Sequence, residues 1–506
     1  MTLLDVVLFL PLIGFLALLF VPKTLSRSGA LAVSLVIFAV SLGLIGNYTL
    51  STNAPWIDYP PIRYHVALDG LSLWLVLLTT LLTPIAIAVS WKHIDHRQKE
   101  FYALLLLLEF GLIGVFVAMD LFLFYVFWEI CLVPMYFLIG IWGHDNRIYA
   151  TVKFFLYTMA GSMLMLGAII YLYNKSGTFD YLDIVSQLQT GRLVLDAHTE
   201  LILFLAFFVA FAIKVPLFPL HTWLPDAHVE APTAGSVMLA SVMLKMGTYG
   251  LVRYCLPLFP NAAHQCAWWI SALAVTGIIY GALVAMVQPN MKKLVAYSSV
   301  SHLGFVVLGI FSFTQQGLDG AVYQMLNHGV STGALFMLVG YLYERRHSLE
   351  ISAYGGVATP APNLAIVFLI TTLASIGLPM LNNFIGEYLV LQGAAYVSMT
   401  WTAFAAVGVI LSACYMLWLY QRTFYGKASE GVTQHIYDLT GREWAAILPL
   451  IVLMVWMGTY TQSFLPQISA QNARILEDTH KLKIERVQLQ TPDVARGPAP
   501  EAAHGQ

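Results

Sequence analysis

Apolar stretches of about twenty residues, parted by short polar connections, follow one another from residue 3 to residue 465, and this spacing restricts the chain to one class of structure. In lipid every backbone N–H and C=O must find a partner within the protein, so a chain built of such stretches crosses as helices. Windows of that length give fourteen expected spans, near residues 3–22, 29–49, 70–91, 101–119, 121–142, 153–174, 200–223, 234–258, 267–288, 294–313, 317–343, 362–396, 401–425 and 443–465. The expected fold is therefore an all-α polytopic membrane protein. The first run, "MTLLDVVLFLPLIGFLALLFVPK", lacks the basic start and small-residue cleavage site of a secretory signal and is expected to remain as a span.

Lysine and arginine test this count, because cytoplasmic loops collect them. With the N-terminus outside, the inner loops hold fourteen, the outer loops hold only Arg63, Lys175, Arg192 and Arg253, five follow residue 465, and Lys214 and Lys245 stay within spans. The asymmetry places both termini on the outer side of the membrane. With 59% hydrophobic residues, 10% charged residues and a net charge of −2, no one-signed field invites nucleic acid. The four cysteines are scattered without a CxxC, and no Walker loop, GxGxxG fingerprint or iron–sulfur ligand set is present, so any redox or nucleotide chemistry belongs to partners. Beyond residue 465 the polar segment ending in "TPDVARGPAPEAAHGQ" is expected to be a mobile extramembrane tail.

Ionisable residues inside a membrane are costly and mark function, preferably in pairs. Glu129 lies within "FYVFWEICLVP", Lys214 within "AFAIKVPLFPL", Lys245 within "SVMLKMGTYG" and Glu387 within "NNFIGEYLVLQ"; Glu109 is a weaker fifth case. A Glu and a Lys on different helices also form structural ion pairs, but two acids and two lysines on four helices exceed what helix docking needs. Burial favours the neutral form and a partner favours the charged form, so a group held between the two changes protonation when its partner moves. Pro216 and Pro219 lack an N–H and should break the helix beside Lys214, and Gly377, Pro379 and Gly386 should break another beside Glu387.

The two breaks, one in each half, suggest two five-helix repeats in inverted orientation, residues 101–260 (helices 4–8) and 261–430 (helices 9–13). They follow three N-terminal helices in residues 1–100 and precede a last helix in 431–465 and the tail 466–506. His302 and His328, set among serines, a threonine and an asparagine, could hand on protons, while His221, Asp226 and His228 near a span end could line a cytoplasmic entrance. Packed or capping roles remain open for each of these five. His221 and His228 fall near a span end and no second helix pairs with them in an obvious way, which counts against a haem held by paired axial histidines.

The run "KVPLFPLHTWLPDAHVEAPTAGSVMLASVMLKMGTYGLVRY", with "DLFLFYVFWEICLVPMYFLIGIWG", "MKKLVAYSSVSHLGFVVLG" and "NNFIGEYL", resembles the antiporter-like membrane subunits of respiratory NADH:quinone oxidoreductase (complex I) and the related Mrp-type cation/proton antiporters. Glu387, where L- and N-type members typically carry a lysine, the segment "YLYERRHS", and the lack of room for the L-type lateral helix point to the M-type branch. The resemblance implies that Glu129 and Lys214 form a coupling pair, that Lys245 is the central relay, that His302 and His328 continue the path, and that Glu387 is the exit-side site. It implies proton translocation in a bacterial cytoplasmic membrane beside L-type and N-type neighbours and lipid, with NADH, FMN, iron–sulfur clusters and quinone bound on partner subunits and no cofactor on this chain. A subunit of a stand-alone Mrp-type antiporter, a haem or quinone enzyme in its own right, and a passive scaffold are the competing readings.

Overall fold

The computed structural model describes residues 2–428 and 430–490, with side chains as far as residue 480. In chain order the elements are α1 (Leu3–Leu18), α2 (Lys23–Ser41), β1 (Ser51–Ile57), β2 (Ile62–Ala67), α3 (Ser72–Val89), α4 (Gln98–Val117), α5 (Leu121–Trp142), α6 (Arg147–Ser176), α7 (Tyr181–Gln189), α8 (Ala197–Lys214) and α9 (Trp223–Glu230). There follow α10 (Thr233–Leu258), α11 (Pro260–Met286), α12 (Met291–Ile310), α13 (Gln315–Arg346), α14 (Pro362–Ser375), α15 (Asn382–Ala395), α16 (Met399–Phe424), α17 (Glu430–His435), α18 (Gly441–Thr459) and α19 (Leu465–Gln490).

Among the described residues, eleven helices are long and apolar enough to cross a membrane. The other three expected spans also fall on helices. One is the short α1, one is the more polar α13, and one is divided into α14 and α15. The starts are set by side chains that take up orphan N–H groups: Asp120 accepts from Phe122 and Leu123 at the head of α5, and Asn290 accepts from Lys293 at the head of α12. Helix α10, which carries Lys245, is buried along its whole length, whereas α16 and α18 leave most of their surface to lipid.

The repeat is written in two corners of the backbone. Asp120 bridges Asp180, and Asn290 bridges Glu350, each pair spanning the same sixty-residue interval. The hydrogen bonds correspond: Leu121 N donates to Phe179 O (2.8 Å) and Tyr181 N to Met119 O (2.8 Å), while Met291 N donates to Leu349 O (2.9 Å) and Ile351 N to Pro289 O (2.8 Å). Five helices long enough to span, α5, α6, α8, α10 and α11, separate the heads of α5 and α12, an odd number as the expected inverted repeat requires.

Four features depart from the sequence reading. The loop before α3 is a β-hairpin, whose His65 pairs with Asp180 and whose His65 O accepts from Met119 N (2.8 Å), so it is tied to the heads of α5 and α7. Arg253, assigned above to an outer loop, is buried within α10 and paired with Asp69. Lys292, assigned to an inner loop, is also buried, its ammonium donating to Ala231 O (2.8 Å). The stretch from residue 465 to residue 490 is not a free tail. As α19 it packs on α13, α11, α7 and the end of α10, with Ser469 and Asn472 donating to the buried Asp319 (2.7 and 2.8 Å) and Gln315 donating to Ser469 (3.0 Å). Ser469 and Asn472, polar residues of the expected tail, serve this docking; the segment "TPDVARGPAPEAAHGQ", residues 491–506, lies outside the described residues.

Candidate functional site

Helix α8 stops at Lys214, as its prolines require. Leu217 N reaches back to Ala212 O (2.8 Å) and the Trp223 indole donates to Ile213 O (2.9 Å), so carbonyls released by the break are satisfied inside the protein. The Lys214 ammonium is buried and lies 5.4 Å from the ring centres of both Trp128 and Phe154. Among the described residues it has no hydrogen-bond acceptor, and one oxygen of Glu129 is likewise buried without a donor. The two charges are within electrostatic reach but not in contact. The coupling pair implied by resemblance is thus open in this structure, and two aromatic faces hold the cation instead.

Around Lys245 the wholly buried α10 widens into π-helical turns at Leu239–Met243 and Leu251–Cys255. Such turns often accompany functional side chains because they turn backbone and side chain out of register with the α-helix. The Lys245 ammonium bonds Ala240 O (2.5 Å) and His328 Nδ1 (2.6 Å) on α13. The His328 and His302 rings stand 6.0 Å apart, centre to centre, and His302 Nδ1 lies 2.8 Å from Glu387 Oε1. Lys245, His328, His302 and Glu387 therefore form one buried line crossing α10, α13, α12 and α15. Glu387 also accepts from Gln324 Nε2 (3.2 Å), and Asn327, Asn382, Asn383 and Ser331 extend the polar surround.

The second break lets Glu387 into this line. Gly377 has φ +74°, and a β-carbon there would stand 3.1 Å from Glu387 Oε2, so both the backbone turn and the space belong to glycine.

The three expected entrance residues separate. Asp226 pairs with Lys153 on α6 (2.7 Å) and both remain partly open to solvent, which fits an inner mouth. His221 is buried against Phe218, Tyr280 and Tyr297. His228 lies in the interior, stacked on Phe336 at 4.3 Å and within electrostatic reach of Lys245 and Lys292, so it belongs with the central groups instead of the mouth. Nearby, in the loop between α5 and α6, burial and the Lys292 ammonium hold His144 down to about 4, so it is neutral at physiological pH beside the Tyr343 hydroxyl (3.4 Å).

Sequence reasoning missed Lys292, which sat beside Lys293 in an apparent loop, and Gln324, although Gln324 and His328 share a helix face four residues apart. Glu109 is fully buried on α4 near Thr83 and apart from this line. Among the described residues no group of three or more His, Cys, Asp or Glu is placed to hold a metal ion.

The family model described as NADH:quinone oxidoreductase/Mrp antiporter matches residues 118–412, and that of NADH-ubiquinone oxidoreductase chain 4, amino terminus, matches residues 6–115. NADH-quinone oxidoreductase subunit M of Rhodobacter capsulatus is 44% identical over 94% of this chain and 97% of its own length, and that of Rickettsia prowazekii is 44% identical over 91% and 96%. A chain of respiratory complex I from Thermus thermophilus superposes with TM-score 0.87 at 34% identity, covering 94% of this chain and 100% of that one. A chain of the Mrp complex from Dietzia sp. shares the fold, with TM-score 0.83 at 20% identity over 96% and 99%. With both family models in succession along its length and relatives aligned nearly end to end, the chain belongs to the antiporter-like M subunits of the proton-translocating NADH–quinone oxidoreductases.

Proposed function

We propose that this chain carries protons across the membrane along Lys245, His328, His302 and Glu387, with Lys153 and Asp226 at the inner mouth and Glu129 with Lys214 setting when the central lysine receives its proton. The observation that carries this reading is the buried line itself: two contacts of 2.6 and 2.8 Å and one ring-to-ring step of 6.0 Å join four helices. When the Glu129 carboxylate moves away from the Lys214 ammonium, the cation loses its counter-charge and its proton passes toward Lys245. When the pair closes, the cation is held again. Protons then leave beside Glu387 at the second break.

The chain works between L-type and N-type neighbours in a bacterial cytoplasmic membrane, with both termini outside. The driving reaction, oxidation of NADH and reduction of quinone, takes place on partner subunits that hold FMN and the iron–sulfur clusters. Stand-alone cation exchange is supported here by fold likeness and by a family model that names both classes, while the relatives at 44% identity are oxidoreductase subunits.

The test is Lys214→Ala in the intact complex in closed membrane vesicles. The assembled complex is expected at normal amount with NADH-driven proton uptake strongly reduced; a normal proton gradient at normal NADH turnover would overturn the proposal.

A further inference from the structure

Helix α16 exposes an apolar stripe of Phe404, Val407, Ile410, Leu417 and Trp418, all more than 40% exposed, and ends with Arg422 in its last turn. Its 26 residues rise about 39 Å at about 1.5 Å each, more than the roughly 30 Å hydrocarbon core, so this last turn stands at headgroup depth. The Arg422 guanidinium lies over the Trp418 indole at 4.1 Å, and its Nε and Nη2 are shut off from solvent with no acceptor among the described residues. Among the described residues no carboxylate pairs with it. The two buried arginines are provided for: Arg345 forms two bonds to Glu443 (2.9 Å each) and Arg253 pairs with Asp69.

A guanidinium presents donors and no acceptors and stays charged, so burying two of its N–H groups unmatched is costly. No described residue supplies the missing acceptor. At this depth, on a lipid-facing helix, the surrounding medium supplies phosphate oxygens, and a planar guanidinium fork matches phosphate geometry. We propose that Arg422, levelled by Trp418, binds the phosphate of an anionic phospholipid. The exposed Lys427 in the following loop adds positive charge to the same membrane surface.

The experiment uses the whole complex containing this chain, purified and partly delipidated, then titrated separately with phosphatidylglycerol, phosphatidylcholine and inorganic phosphate, with bound lipid counted by mass spectrometry. Arg422→Gln is expected to lose one retained phosphatidylglycerol per chain and to raise the uptake midpoint roughly fivefold or more, from the contribution typical of one basic group at a membrane surface. Wild type is expected to take phosphatidylcholine more weakly, and millimolar phosphate is expected not to displace the lipid. Unchanged uptake in Arg422→Gln overturns the proposal, as do displacement by inorganic phosphate or a map of the complex showing a neighbour's carboxylate on the guanidinium. If Arg422→Gln does not assemble, Arg422→Lys keeps the charge and loses the fork; it must weaken phosphatidylglycerol uptake, and unchanged uptake there also overturns the assignment.

Discussion

His302 is the one ring between His328 and Glu387, and its removal is the sharpest test of the relay. In His302→Ala, Glu387 Oε1 loses its 2.8 Å partner and keeps only the 3.2 Å bond from Gln324. A hydrogen bond to a charged group contributes about 1.5–3 kcal/mol. Each step that leaves charge on Glu387 should then be populated roughly tenfold to a hundredfold less, at about 1.4 kcal/mol per factor of ten. The assay is NADH oxidation together with fluorescent-dye quenching in closed vesicles, normalised to assembled complex, and both are expected to fall at least tenfold. His302→Gln separates the two roles of the ring, because glutamine can donate to Glu387 but cannot take up and hand on a proton. That variant should assemble like wild type and still fail to pump. Full dye quenching at full turnover in His302→Gln would refute the argument, since a proton would then be crossing without the imidazole.

Further outcomes follow from other contacts. Arg345→Met leaves Glu443 as an unpaired buried carboxylate and should cost about 3–5 kcal/mol, seen as a sharp fall in assembled complex, whereas the double change Arg345→Met with Glu443→Leu should recover most of it. Gly377→Ala places a methyl in left-handed backbone 3.1 Å from Glu387 Oε2; it should cost about 1 kcal/mol or more and lower coupled turnover while α14 and α15 remain, and wild-type turnover would show that the break tolerates a side chain. Asp438, in the loop before α18, accepts from Asn363 N (3.1 Å) and Leu364 N (2.9 Å) and so caps α14 from outside its own helix. Burial pushes its carboxyl up, but these donors outweigh burial and hold it below the usual carboxylate range. Its stabilisation is therefore present above the ordinary value near 4 and lost as pH falls through the lowered one. Asp438→Asn should lower the unfolding temperature of the complex at neutral pH, with the difference from wild type closing as acid protonates the native carboxyl.

The spans, the breaks and the four charges were legible because each is a local property: apolar length, proline and glycine placement, and charge where charge is costly. Lys214 needed no partner to be recognised, only its neighbours Pro216 and Pro219. What was not legible depended on distant chain. Arg253 looked like a loop residue because its carboxylate, Asp69, is 184 residues away, and only the fold shows that α10 continues around it. Lys292 and His228 looked like loop residues for the same reason, since burial at a helix end is decided by what packs over it. The hairpin carries Pro55, Pro60 and Pro61, which weaken any strand signal, and its pairing is anchored through His65 to Asp180. The polar segment after residue 465 was misread because hydrophilicity marks both a free tail and a helix that docks through hydrogen bonds.

That last helix changes what kind of machine the chain can be. Carriers built of inverted repeats commonly work by rocking one repeat against the other. Here α19 lies across both, touching α7 and the end of α10 in the first repeat and α11 and α13 in the second, and its bonds to Asp319 and Gln315 fasten it where α13 begins. A bar fixed to both moving parts leaves little freedom for a rigid-body swing on that face. The proposed gating then rests on smaller parts: the open Glu129 and Lys214 and the imidazole rings. A protein fastened in this way can pass a disturbance to its neighbours through charge while its outline stays nearly still, which suits one member of a row of pumps packed side by side.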